Sequence, residues 1–351
     1  MKAIMTKTRL TEIDLLRFAA AVAVVIFHLA FRGAAADGLS TFSYPAIAAA
    51  AKYGYLGVDL FFMISGFVIL MSAASGGLRS FAESRVTRLY PAFWCCCSLT
   101  YISGLVSGQA AFQVSWWEFL ANMTMLGDFL GVRRVDGSYW SLFVEIKFYL
   151  WVAGVLALGL MVQVERILYG WLMVTVALLI VPSYRLQSIF LTDYAAYFIA
   201  GAMFYLGWSR GFTWRIWLAI AGTCVMAMYQ SIGRARELDA HYGTSLNDQI
   251  ICLAIGLFFG VFALIALRKT AWIARVNWQT VGLLTYPLYL IHQNIGYMIL
   301  NALGTPFGTL GTFTLVVLFL VVASVIINRW FERPVAAAIK RFFRRFEPLT
   351  N

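Results

Sequence analysis

Residues 12–31 read EIDLLRFAAAVAVVIFHLAF, twenty positions in which Glu12, Asp14, Arg17 and His28 are the ionisable residues. Roughly 20 apolar residues carry an α-helix across the hydrocarbon core of a bilayer, and this run has that length. An ionisable residue inside such a run costs roughly 2.5–3.5 kcal/mol on insertion scales unless it is paired or sits in a wet cavity, so Arg17 and His28 demand a reason. Lys2, Lys7 and Arg9 precede the run as they would in a secretory leader. A leader is rejected, because Arg17 and His28 interrupt the apolar part and no clear small-residue cleavage site follows.

Nine further runs follow, at approximately 55–74, 89–107, 139–161, 167–184, 188–208, 213–231, 247–267, 279–300 and 309–328. The whole chain agrees with them: 62% of its 351 residues are hydrophobic and 12% charged, and mean hydropathy is +0.79, where soluble domains average about 25% charged. Disorder, collagen-like repeats and a disulfide scaffold are excluded by the same figures. The runs are long and apolar all round, unlike the short alternating strands of a lipid-facing barrel. The expected fold is therefore all-α, a polytopic membrane protein with about ten transmembrane helices. Small-residue spacings such as Gly104/Gly108 and Gly256/Gly260 suggest close helix packing.

The net charge of +11 does not point to nucleic acid, since the basic residues are scattered between apolar runs and form no stripe. The 5 cysteines, Cys95, Cys96 and Cys97 among them, suit small buried residues and show no metal or disulfide spacing. With the N-terminus inside, 18 of the 27 lysines and arginines fall on the cytoplasmic side and 7, including Arg234, outside. The positive-inside rule then puts both termini in the cytoplasm. The outer loop 108–138, with Trp116, Trp117 and Phe119, reads as an interfacial amphipathic segment. Residues 335–351 read as a basic amphipathic tail on the inner leaflet, through Lys340, Arg341, Arg344 and Arg345.

Arg17 and His28 are 11 positions apart, about 16 Å along a helix at 1.5 Å per residue and on nearly the same side of it. Asp59 and Ser65 on the second run, Trp140, Ser141 and Glu145 on the fourth, and Tyr286 and His292 on the ninth converge on the outer half of the bilayer in this topology. Arg85 and Arg88 precede the third run on the inner side. The pattern suggests a path with cations at its inner mouth and a histidine with a carboxylate near its outer end. Plainer readings stand beside it: a snorkelling Arg17, a helix-bridging His28, Asp59 and Glu145 as carboxylates at helix starts, and Arg85 and Arg88 as topology signals.

Six pieces of this sequence, in order, resemble the acyltransferase 3 family of integral membrane acyltransferases: Arg17 with His28, GVDLFFMISGF at 57–67, RVTRLYP at 85–91, WSLFVEIKFY at 140–149, YPLYLIH at 286–292 and Glu332-Arg333-Pro334. The resemblance spans residues 12–334 and marks 1–334 as the membrane domain. It implies an enzyme that moves an acyl group, commonly acetyl from acetyl-CoA, and leads to O-acylation of a glycan or other acceptor. By position, Arg17 and His28 look like the family's essential pair, Arg85 and Arg88 like its basic motif and Glu145 like its helix-start acid. Thr285 stands where serine is more usual. Many relatives continue into an extracytoplasmic hydrolase-like domain, and the expectation here is a stand-alone membrane domain in a bacterial inner membrane.

The expected chemistry places acyl-CoA on Arg17, Arg85 and Arg88, because its phosphates are anionic. His28 then acts as general base or as acyl-carrying nucleophile, oriented by Glu145 as the third member of a triad. Asp59, Ser65, Trp140, Ser141, Tyr286 and His292 are pocket or acceptor candidates. No metal and no tightly bound cofactor are expected. The partners are the acyl-CoA donor, a glycan or lipid-linked sugar acceptor, membrane lipid and, in one version, a protein that completes the transfer. The rivals are a transporter or flippase using Arg17, Asp59 and Glu145 without covalent chemistry, and a non-catalytic subunit.

Overall fold

The computed structural model describes residues 10–345. Lys2, Lys7 and Arg9, and the end of the 335–351 tail, lie outside them. Sixteen α-helices follow in order: α1 (Thr11–Phe27), α2 (Gly33–Ala35), α3 (Pro45–Ala51), α4 (Leu56–Ala74), α5 (Leu78–Ser107), α6 (Trp116–Met123), α7 (Trp140–Ala157) and α8 (Val164–Ile180). The second half runs α9 (Tyr184–Phe190), α10 (Thr192–Arg210), α11 (Trp214–Tyr242), α12 (Asp248–Ala266), α13 (Gln279–Ile291), α14 (Asn294–Leu303), α15 (Gly308–Ile327) and α16 (Arg333–Arg344). Among the described residues there is no strand, and nine helical stretches are long and apolar enough to cross a membrane. The run at 279–300 is two consecutive helices, α13 and α14, meeting at His292 and Gln293.

Backbone approach decides the centre. A methyl on Gly66 of α4 would collide with the carbonyl of Phe198 on α10, and one on Gly201 of α10 with the carbonyl of Met63 on α4. The two helices therefore pack backbone against backbone and bury Met63, Phe67, Tyr197, Phe198 and Phe204 completely. Gly57 repeats the device between α4 and α1, facing the carbonyl of Ala20. The spacing at Gly256/Gly260 does no such work: a methyl on Gly260 would meet nothing, and one on Gly256 only the end of Met228. Gly104 does sit tightly, against the carbonyl of Phe112, whereas Gly108 ends α5 at a positive φ. Peripheral helices α8, α12 and α15 expose Met173, Leu257 and Leu318 outward, as lipid-facing surfaces do.

Two expected boundaries shift. α11 runs on to Tyr242, so Arg234 lies on a helix and not in an outer loop. α15 passes through a π-helical turn at Asn328–Glu332 straight into α16, so the basic tail begins as a continuation of the last long helix. The 108–138 loop contains the eight-residue α6, which starts in a capping box. Ser115 accepts from the Glu118 amide, and the Ser115 amide donates to the Glu118 carboxylate. Trp116 and Trp117 of α6 are exposed, and Trp94 and Tyr90 of α5 donate to the carbonyls of Met123 and Thr124 behind it.

Candidate active site

Helices α1, α4, α5, α7 and α13 line a cavity of about 80 Å³, whose polar lining includes Arg17, Ser65, Arg85, Arg88, Glu145 and Tyr286. Arg85 and Arg88 are three apart on α5, hence on one face. The Arg85 guanidinium lies 5.6 Å from the rings of both Phe81 and Tyr149 and donates to Ser84 at 2.9 Å. Its Nε is buried without a partner. Arg88 makes no hydrogen bond or ion pair among the described residues, and Arg17 stands 3.9 Å from Asp14. Ser65 donates to Glu145 at 2.6 Å, and the buried Tyr286 hydroxyl has no partner. Unpartnered buried polar groups are uncommon enough to mark places where a ligand or water belongs.

α13 is shaped for this wall by Pro287, which has no N–H to give the carbonyl four residues back. That carbonyl, Leu283, accepts from the Asn328 amide at 3.4 Å instead. One turn later the helix breaks. Asp136, fully buried, accepts from the Asn294 amide at 2.9 Å and from Ser138, capping α14 and fixing His292 at the break.

His28 opens a π-helical turn, His28–Arg32, a distortion frequent at functional sites. Its Nδ1 lies 2.8 Å from the Val24 carbonyl and 3.2 Å from Nε2 of His292. Nδ1 of His292 lies 2.6 Å from the Tyr289 carbonyl, which can only accept. The tautomers follow from these partners. His292 carries its proton on Nδ1 and accepts on Nε2; His28 donates from Nδ1 and keeps the Nε2 lone pair, which faces Arg32 Nη1 at 3.4 Å. Tyr297 donates to the His28 carbonyl at 3.1 Å, bracing the turn.

The expected site thus divides in two. Ser65, Ser141, Glu145 and Tyr286 line the cavity with the three arginines and do not converge on the His28 end. Glu145 makes no hydrogen bond to His28: its oxygen takes Ser65, and the ring nitrogens of His28 are occupied by Val24, His292 and Arg32. The carboxylate of the triad expectation is replaced by a second imidazole. Tyr289 stands between the two halves. Its hydroxyl is 2.6 Å from Ser141 on the cavity side, while its carbonyl holds His292 and its ring lies 5.4 Å from that imidazole.

Asp59 and Trp140 line neither part. Asp59 is bound by Arg234 at 2.7 and 2.9 Å, tying α4 to α11, because a carboxylate buried to 1% exposure needs a cation. Trp140 packs on Phe62 and Tyr194 beside that pair. Sequence reasoning missed Arg234, Arg32, Asp136 and Tyr289. Arg234 left a usable signal, since a buried Asp59 requires a partner and Arg234 lies one turn beyond an apolar run, and Tyr289 stands inside the YPLYLIH stretch at 286–292.

Residues 10–329 match the family model described as the acyltransferase domain of acyltransferase type 3. The chain is also 30% identical over 158 residues to the peptidoglycan O-acetyltransferase OatA of Listeria monocytogenes, a match that takes in 40% of this chain and 23% of that protein. The chain thus spans less than a quarter of that relative's length. No solved structure matches it. With the family model matched from the start of α1 into the π-helical turn after α15, the chain belongs to the acyltransferase 3 family.

Proposed function

We propose that this protein is a membrane O-acyltransferase, in its simplest form an O-acetyltransferase, of a bacterial inner membrane. It takes the acyl group of cytoplasmic acyl-CoA and transfers it to a hydroxyl of a cell-surface glycan or its lipid-linked precursor. The observation that carries this reading is the adjacency of an arginine-lined cavity and, across Tyr289, a histidine whose Nε2 carries the lone pair of the neutral ring and faces Arg32. Arg17, Arg85 and Arg88 suit the anionic donor, which is a co-substrate and needs no resident cofactor. About 16 Å of helix from Arg17 to His28 is comparable to the reach of a pantetheine arm.

In the transfer, the acceptor oxygen attacks the thioester carbonyl carbon while its proton passes to Nε2 of His28. The tetrahedral intermediate collapses with cleavage of the C–S bond, and the departing sulfur takes that proton, returning His28 to its neutral form. Arg32, beside Nε2, is placed to stabilise negative charge on the intermediate. The test is release of CoA from acetyl-CoA by the purified chain in lipid vesicles with a cell-envelope glycan extract, wild type beside His28→Ala. Loss of about 10²–10⁴-fold is expected for removal of a general base. Equal release by both proteins refutes the role of His28, and an inactive wild type that does not bind acetyl-CoA refutes the donor and favours a transporter.

A further inference from the structure

Arg88 lines two spaces at once. Behind the cavity, on the far side of this arginine, a groove of about 570 Å³ runs between the first half of α5 and α16. Its charged lining is Arg88, Arg333, Lys340 and Arg344 against Glu83 and Glu332. Glu83 is paired with Arg79 at 2.8 Å, while Glu332 accepts from the Asn328 side-chain amide at 2.8 Å and Arg333 donates through Nε to that amide's oxygen at 3.0 Å. Lys340 and Arg344 make no hydrogen bond or ion pair among the described residues. They are four apart on α16, hence neighbours on one face. Arg333 is two turns earlier on that face, about 10 Å along the helix.

We infer that this groove is the binding site for the nucleotide end of the donor, a site that rests on the acyl-CoA reading above and extends it. CoA carries two anionic groups separated by a ribose, a diphosphate and a 3′-phosphate. The groove offers two cationic groups in the same order from the cavity: Arg88 with Arg333 at the mouth, then Lys340 with Arg344 farther along α16. The diphosphate falls to the first pair, the 3′-phosphate to the second, and the thiol arm leads past Arg88 into the cavity. The basic stripe of α16 thereby has an occupant other than the bilayer, although an anionic lipid headgroup presents the same phosphate chemistry.

The experiment is equilibrium binding of radiolabelled CoA to the full chain in phosphatidylcholine nanodiscs, wild type beside the double variant Lys340→Ala/Arg344→Ala. The dissociation constant for CoA should rise at least about tenfold in the variant, because charge-assisted phosphate contacts are the strong class of hydrogen bond. Pantetheine, which has the thiol arm without phosphates, and 3′-dephospho-CoA should each bind both proteins alike, and the former shows that the variant is folded. Unchanged CoA affinity in the variant overturns the assignment while leaving the acyl-CoA reading intact. If the variant also loses binding of phosphatidylglycerol, the groove belongs to a lipid headgroup. A wild type that does not bind CoA at all overturns both readings together.

Discussion

Replacing Arg234 alone should harm the protein more than replacing Arg234 and Asp59 together. The Asp59 carboxylate is 1% exposed and receives both of its short contacts, 2.7 and 2.9 Å, from one guanidinium nitrogen. Arg234→Met leaves that carboxylate buried and without its cation, which costs about 3–5 kcal/mol in the measured cases of broken buried pairs. Asp59→Asn is milder. The Arg234 side chain keeps 20% exposure, contact with the Tyr194 ring at 5.0 Å and a hydrogen bond to Ser231, so its charge retains solvent and partners. The double variant Asp59→Asn/Arg234→Met removes both charges and should sit within about 1–2 kcal/mol of wild type, since exchanging a buried pair for neutral groups is often near neutral. Unfolding midpoints of the four proteins in one detergent close a double-mutant cycle. The reasoning fails if the double variant is as unstable as Arg234→Met, because the pair would then contribute net stability and not merely mutual compensation.

Gly201→Ala should destabilise by at least about 1–3 kcal/mol, as overpacking does, because its methyl runs into the Met63 carbonyl, whereas Gly260→Ala, facing open space, should leave the unfolding midpoint unchanged or raise it. Glu145→Gln keeps an acceptor for Ser65 and takes a negative charge out of the arginine-lined cavity, so it should lower KM for acetyl-CoA by up to about tenfold, the equivalent of about 1.4 kcal/mol, with the pH profile of kcat unmoved; a shifted profile would return Glu145 to His28. Outside the membrane-spanning helices, the Ser115 amide and hydroxyl hold the Glu118 carboxyl below the usual carboxylate range. A depressed folded value means that the cap stabilises α6 above the ordinary carboxylate pKa and that this stabilisation is lost as pH falls through the folded value. Hydrogen-exchange protection factors across Trp116–Met123, taken relative to the intrinsic rate at each pH, should therefore fall at acid pH in wild type, and Ser115→Ala should show lower protection already at neutral pH.

The membrane-spanning runs were legible because hydropathy is a local property: twenty apolar residues declare a helix whatever surrounds them. Helix breaks inside apolar sequence are not declared in that way. The run 279–300 keeps its hydropathy through His292 and Gln293, and the break is set by Asp136, more than 150 positions away, accepting the Asn294 amide. α11 was cut short for the opposite reason. Its last two turns are polar, and they stay helical because Arg234 reaches Asp59, 175 positions away, and Gly243 ends the helix at a positive φ. The direction of Ser65 and Glu145 was misjudged, because a topology assigns each residue a height but not a direction, and both line the cavity with Arg17.

The partner of His28 shows what such a misjudgement hides. A carboxylate beside an imidazole steadies the imidazolium and lets the base hold a proton. His292 brings no negative charge: the one Nδ1 proton of His28 lies between the Val24 carbonyl at 2.8 Å and His292 Nε2 at 3.2 Å, and on the other side Arg32 Nη1 stands 3.4 Å from His28 Nε2. Among the described residues no carboxylate bonds His28, so in the proposed transfer the proton has no paired imidazolium to rest on, and the accepting sulfur must be at hand when the acceptor oxygen attacks. That requirement couples the two halves of the site. Tyr289, bonded to Ser141 on the cavity side and to His292 on the other, is the residue through which a filled cavity would be felt at the histidines.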